Sequence, residues 1–358
     1  MSARRRAIKA AVIGYGGAFN MAKSHMADMT RVGMAPVAVC DVDAERRAAA
    51  EADFPGIETY GSVEGLLARS SCDLVTIITP HNTHAELAVK CLEAGRHVVV
   101  EKPMAITTAE CTAMMAAAEK RGLLLSAYHN RHWDGCIVQA AEKIRAGAIG
   151  GVVRVKAQIA GWRRPGDWWR SSKSISGGLL YDWGVHLLEY TLQIIDSEIV
   201  EVSGHMKSGI WSTDSPWGED TVEDEGFVVV RYANGSWSTL MISAIDADPE
   251  QYFVHVTGTK GSYAFGPGDW RLTTPGDNEI VSVVKGKCPP PEWWRYYQNV
   301  ADCLAGEADL IITPQWARRP IHIIDLAYRS QQAGKALPNE LVPPPSQPAA
   351  STGKARLS

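Results

Sequence analysis

Up to Tyr128 the chain alternates short apolar runs with segments of helical periodicity. Ala7–Ile13, Val37–Cys40, Leu74–Ile78, His97–Val100 and Leu123–Tyr128 read as strands. Ala18–Met29 and Ala44–Ala52 carry apolar residues at helical spacing. Two further helices open on Thr83–His84–Ala85–Glu86 and Thr107–Thr108–Ala109–Glu110, the Thr-x-x-Glu pattern of a capping box. They end before Gly95 and Gly122. Continuously apolar strands are buried on both faces, so this pattern predicts a doubly wound parallel sheet in an α/β domain.

After Tyr128 the period changes. A helix is predicted over Gly135–Ala146. Val152–Ala160 then alternates Val153, Val155 and Ala157 with Arg154, Lys156 and Gln158. The same alternation recurs at Val200–Met206, Phe227–Tyr232, Ser236–Ile242, Tyr252–Val256 and Ile280–Val284, with an Asn234–Gly235 turn between two of these runs. It predicts a large, mostly antiparallel sheet with one open face. Helices are expected over Tyr181–Ile194, Trp293–Leu304 and Gln315–Gln332. From Pro343 onward the chain is rich in Pro, Ser and Ala, and a disordered tail is expected. The organisation expected is thus 1–128, 129–342 and a tail over 343–358.

Composition narrows the function classes. A net formal charge of −4 gives no support for nucleic-acid binding. No apolar run approaches a membrane span. Seven cysteines without a Cys-x-x-Cys pair argue for a reducing compartment and against a disulfide framework or structural zinc; no metal is expected. Arg4–Arg5–Arg6 loosely resembles an export signal, but the apolar stretch Ala10–Ile13 is too short for one, and the chain is read as cytoplasmic. Of the 12 Trp, the first is Trp133. The parts before and after it therefore face different chemistry.

Gly14–Tyr15–Gly16–Gly17–Ala18–Phe19 follows a strand and opens a helix, the setting of a dinucleotide fingerprint. Gly14 permits the tight turn, and Gly16 lets a pyrophosphate approach the backbone. Phe19 replaces the third small residue. The next strand ends in Asp41, whose carboxylate accepts ribose hydroxyls and repels a 2′-phosphate. NAD is favoured, with NADP kept open by Arg46 and Arg47. Thr79–Pro80–His81–Asn82–Thr83–His84 leaves the end of another strand, where it is placed to cover the cofactor, although His84 also reads as a simple helix start. Glu101–Lys102–Pro103 puts two charges at a strand end, and Pro103 denies Lys102 a helical conformation. Asp182 and His186 stand four apart in the predicted helix, so a carboxylate would share a face with an imidazole, as a general acid/base needs. A local Asp–His pair without catalytic work is the alternative.

Gly14-x-Gly16, Asp41, Thr79–Pro80 with His84, Glu101–Lys102–Pro103, Asn130–Arg131, and Gly177–Gly178 before Asp182-x-x-x-His186 occur in the order of one superfamily. Over residues 7 to 336 the chain resembles the Gfo/Idh/MocA oxidoreductases. That resemblance implies a Rossmann domain over 1–128, and a substrate-binding and oligomerisation domain over 129–342 that forms dimers or tetramers. It implies Lys102, Asp182 and His186 as catalytic residues and Glu101 near the nicotinamide ribose. His81, His132 and Ser176 depart from the family pattern.

Trp162–Arg163–Arg164–Pro165–Gly166–Asp167–Trp168–Trp169–Arg170 suits pyranose or cyclitol rings: Trp faces meet ring faces, and Arg and Asp meet hydroxyls. Trp162, Arg163, Trp168 and Trp169, with Asn130 and Arg131, are the expected substrate residues. The expected activity is NAD-dependent oxidation of a secondary ring hydroxyl. Redox-assisted glycoside cleavage or epimerisation, and a non-catalytic sugar or NAD sensor, are the rivals.

Overall fold

The structure is a computed structural model that describes residues 6–17 and 20–341. The expected tail lies outside the described residues, as do Ala18 and Phe19.

The chain forms two compact units, the first comprising residues up to 130 together with 294–318. Its elements run β1 (Lys9–Ile13), α1 (Met21–Arg31), β2 (Ala35–Cys40), α2 (Ala44–Asp53), β3 (Glu58–Tyr60), α3 (Val63–Arg69), β4 (Leu74–Ile77), α4 (His84–Glu93), β5 (His97–Val100), α5 (Thr108–Arg121) and β6 (Leu125–Ala127). The six strands are parallel in the order β3-β2-β1-β4-β5-β6. β4 and β5 are buried at every position, which is why they read as unbroken apolar runs. Strand order reverses beside β1, so ligands are expected outside the carboxyl ends of β1 and β4.

The two predicted capping boxes differ. Thr107 accepts from Glu110 N (3.1 Å) while the Glu110 carboxylate accepts from Thr107 N (3.0 Å). Thr83 makes no such cap; its hydroxyl donates to Pro80 O (2.7 Å). A short 3-10 turn over His81–Thr83 runs directly into α4, so Thr83 already has helical φ and ψ and cannot turn its side chain back.

The second unit comprises 131–293 and 319–341 among the described residues. It contains α6 (Gly135–Arg145), β7 (Val152–Ala160), α7 (Lys173–Ser176), α8 (Gly184–Ile194), β8 (Ile199–Lys207), β9 (Glu225–Tyr232), β10 (Trp237–Ser243), β11 (Val254–Gly258), β12 (Ser262–Phe265), β13 (Asp269–Pro275) and β14 (Val281–Lys287). Next come α9 (Arg295–Ala305), which belongs to the first unit, α10 (Pro314–Ala333) and β15 (Leu337–Pro338). The nine strands follow the order β14-β13-β12-β11-β7-β10-β9-β8-β15, antiparallel except for β7 with β10. β12 is too short and too evenly buried to alternate, and β13 is largely polar; neither carries a readable period. α9 joins the first unit because Tyr296 and Tyr297 are fully buried there, with Tyr296 donating to Ser126 Oγ (2.7 Å). All seven cysteines are free. Among the described residues, no helix is long and apolar enough to cross a membrane.

Candidate active site

In the first unit the glycine turn is built by close approach. Gly14 has φ 96°, and a Cβ there would stand 2.5 Å from Ile78 O. Only glycine permits both. Gly16 and Gly17 also have positive φ (72° and 75°). Helix α1 begins at Met21, later than the predicted Ala18. Asn20 is the cause: its φ of 39° is left-handed, and its side chain accepts from Gly16 N (3.2 Å). The loop is therefore longer than the fingerprint, and its backbone stays open over Gly17, where a Cβ would meet nothing within 4 Å.

Asp41 follows β2 and is buried. Its Oδ2 accepts from Tyr15 N (2.8 Å) and its Oδ1 from Asp43 N (2.9 Å). Each oxygen keeps a further lone pair for a ribose hydroxyl. Val42, at 87% exposure, offers an apolar face beside it. Arg47 donates to Asp41 O (2.7 Å) and Val42 O (3.0 Å). Arg46 stands between Asp41 (3.8 Å) and Asp43 (3.6 Å). An open glycine backbone, a buried acceptor and an exposed apolar face fit a dinucleotide.

Beyond β4, Thr79 Oγ1 bonds Thr83 Oγ1 (2.6 Å), and Pro80 is extended. His84 is fully buried, with Nε2 on Thr79 O (2.9 Å) and Nδ1 on Pro103 O (2.8 Å). It ties the loops after β4 and β5 together and starts α4. Glu101 and Lys102 leave β5, and the Lys102–Pro103 peptide is cis. Glu101 Oε2 accepts from Lys102 N (2.8 Å). Burial pushes the Glu101 carboxyl up, but the His25 hydrogen bond and the Lys102 charge outweigh it, and it sits below the ordinary glutamate value.

In the second unit, Gly178 has φ 127°, and a Cβ there would overlap Tyr328 OH (2.2 Å) and Glu223 Oε2 (2.8 Å). The buried Glu223 accepts from Leu179 N (3.0 Å) and Tyr328 OH (2.8 Å), and pairs with Lys173 (2.5 Å). It pins the Gly177–Gly178 turn that leads to Asp182. The predicted helix over Tyr181–Ile194 is corrected here. Asp182 lies before α8, with φ −82° and ψ −80°, and the helix starts at Gly184. Asp182 and His186 therefore do not share one helix face, because that ψ interrupts the helical ladder. His186 is buried, its ring 5.6 Å from that of Trp183. Arg170 Nε stands 3.9 Å from Asp182 Oδ1, and its guanidinium lies over Trp168 (4.8 Å) and Trp169 (4.4 Å). Trp162 is 60% exposed and meets Trp211 edge to face at 5.6 Å; Arg163 is exposed.

Arg131 is stacked on Trp183 (4.5 Å) and Trp293 (5.4 Å) and paired with Asp134 (3.0 Å). Asn130, assigned to the first unit, is buried at the start of a 3-10 turn. Sequence reasoning missed His25, Tyr297, Glu223 and Tyr328, which lie far in sequence from the groups they hold. Arg170 closes the Trp162–Arg170 segment read from the sequence, and its place over the two indole rings is what singles it out.

Residues 8–129 match the oxidoreductase family's NAD-binding Rossmann fold, and residues 137–264 match the GFO/IDH/MocA C-terminal domain. The chain belongs to the Gfo/Idh/MocA family. It is 23% identical over 355 residues to a scyllo-inositol 2-dehydrogenase (NADP(+)) of Bacillus subtilis, covering 92% of this chain and 95% of that one. An NAD-binding protein from Listeria innocua superposes with a TM-score of 0.78 at 26% identity, over 93% of this chain and 97% of that one. A levoglucosan dehydrogenase solved with NADH and levoglucosan shares the fold, with a TM-score of 0.80 at 20% identity over 94% and 100% of the two chains. The chain is thus an NAD(P)-dependent dehydrogenase with an NAD-binding Rossmann domain and a mostly antiparallel second sheet.

Proposed function

We propose that this enzyme oxidises a secondary ring hydroxyl of a sugar, sugar derivative or cyclitol. The observation that carries the reading is Arg170, which lies over Trp168 and Trp169 and 3.9 Å from Asp182. Aromatic faces, a cation and a carboxylate in one place suit a hydroxylated ring. The names of the inositol and levoglucosan dehydrogenases support the same substrate class.

Bound NAD supplies the hydride acceptor. Gly14, Gly16 and Gly17 hold its pyrophosphate, Asp41 its adenosine ribose, Glu101 its nicotinamide ribose, and Thr79 and Pro80 line its cover. Lys102 stabilises negative charge developing on the reacting oxygen. His186 takes the hydroxyl proton, and Asp182 orients and charges the imidazole. Trp162, Arg163, Trp168 and Trp169 receive the ring. The second domain also carries assembly into homodimers or homotetramers, in the cytoplasm.

The test is NADH formation against inositols, monosaccharides, levoglucosan and simple glycosides. Net NADH with a ring polyol is expected. Lys102→Ala and His186→Ala should each lower kcat by about a hundredfold or more, with NAD still bound. Near-normal turnover in both variants overturns the assignment, and aglycone release without net NADH replaces oxidation by redox-assisted cleavage.

A further inference from the structure

Helix α1 carries a fully buried histidine that the reaction above does not use. His25 Nε2 lies 3.0 Å from Glu101 Oε1, and His25 Nδ1 lies 2.6 Å from Tyr297 OH. Tyr297 OH in turn meets Thr76 Oγ1 at 3.3 Å. The other Glu101 oxygen accepts from the Lys102 backbone N–H. One unbroken chain of polar contacts thus runs from Thr76 in β4, through α9 and α1, to the peptide from which Lys102 leaves β5.

An ionised carboxylate only accepts hydrogen bonds, so Nε2 must carry the proton toward Glu101. Nδ1 either accepts from Tyr297 or, in the imidazolium, donates to it; Thr76 completes the chain in both cases. The imidazole is held between two fixed partners, and ring contacts to Tyr128 (4.1 Å) and Tyr297 (5.7 Å) restrict its rotation. We propose that His25 is a positioning residue of the active site: it clamps Glu101, and through Glu101 it sets the backbone that presents Lys102.

This inference rests on the role given above to Lys102, but its structural content does not. The charged and titratable groups facing Glu101 are His25 on α1, Lys102 beside it, Tyr128 after β6, and Tyr296 and Tyr297 on α9; Asp28, a turn further along α1, faces His25 and Tyr128. Burial raises the three tyrosines far above their ordinary range, so they stay neutral. His25 and Lys102 are then the groups that keep Glu101 ionised against burial. Removing His25 tips that balance.

The test is a carboxyl-carbon NMR titration of Glu101 in the full-length protein without cofactor, with the resonance assigned by Glu101→Gln. Wild type should titrate below the ordinary glutamate value. His25→Leu should move the titration upward by about one pH unit or more. Tyr297→Phe, which keeps the ring but frees its anchor, should move it in the same direction by less. His25→Gln, whose amide both donates to Glu101 and accepts from Tyr297, should restore it. On the ring polyol selected above, His25→Leu should lower kcat by about tenfold to a hundredfold, while its Kd for NAD changes by less than about threefold. An unchanged Glu101 titration in folded His25→Leu and Tyr297→Phe overturns the proposal, as does a His25→Gln variant no better than His25→Leu. Lys102→Ala separates the two readings: if it turns over normally, the role of Lys102 fails, while the Glu101 titration still judges the clamp.

Discussion

Single atoms decide most of what the glycines do. At Gly178 an added methyl would fall 2.2 Å from Tyr328 OH and 2.8 Å from a Glu223 oxygen, at a φ of 127°. Gly178→Ala should therefore destabilise the protein by about 1–3 kcal/mol, and turnover should fall with it because the turn leads directly to Asp182. Urea unfolding and steady-state rates check this, and full stability with full activity would refute the pinned turn. At Asp41 the test is selectivity. Asp41→Ser replaces the ionised acceptor for the ribose hydroxyls by a shorter, neutral one, removes the charge that repels a 2′-phosphate, and leaves Arg46 beside the position. The Kd for NAD should rise by about tenfold and that for NADP should fall. An unchanged NAD/NADP ratio in equilibrium titrations would remove Asp41 from this role.

Elements are joined by groups whose protonation matters. His97 begins β5 and is buried; its Nδ1 accepts from Leu124 N (3.0 Å), just before β6. Burial disfavours the charged ring and lowers its pKa below the ordinary 6.5, with nearby Asp73 opposing in part. The unfolded chain then binds the proton more tightly than the folded one. This contribution to stability is complete above about pH 6.5 and is lost as pH falls from there through the folded value. Chemical denaturation between pH 5 and 7.5 should show that slope, and His97→Asn should flatten it. The start of α8 belongs to this scale too. Asp182 and His186 read as helix neighbours because the sequence spacing is four, but a left-handed glycine pair and a buried glutamate upstream delay the helix to Gly184.

For the whole molecule, the cofactor half of the chemistry sits in a unit with its own sheet and its own buried core. A ligand that binds only the folded form stabilises it by mass action. NAD at about a hundred times its Kd should add about 2.7 kcal/mol, raising the melting temperature in a saturable way. A protein whose melting is indifferent to both NAD and NADP would not hold a dinucleotide in this cradle. The parallel sheet, the glycine turn, Asp41 and Glu101–Lys102 were all legible in the sequence, because unbroken apolar runs mark buried parallel strands and strand ends lie next to their own loops. The order of the second sheet, the return of α9 to the first unit, and the groups that hold the site were not. His25 with Tyr297, and Glu223 with Gly178, are partners across long stretches of chain. Periodicity and short motifs report only what neighbours along the backbone do. Which buried donor meets which buried acceptor is set when the cores close, since only then must each polar group find a partner.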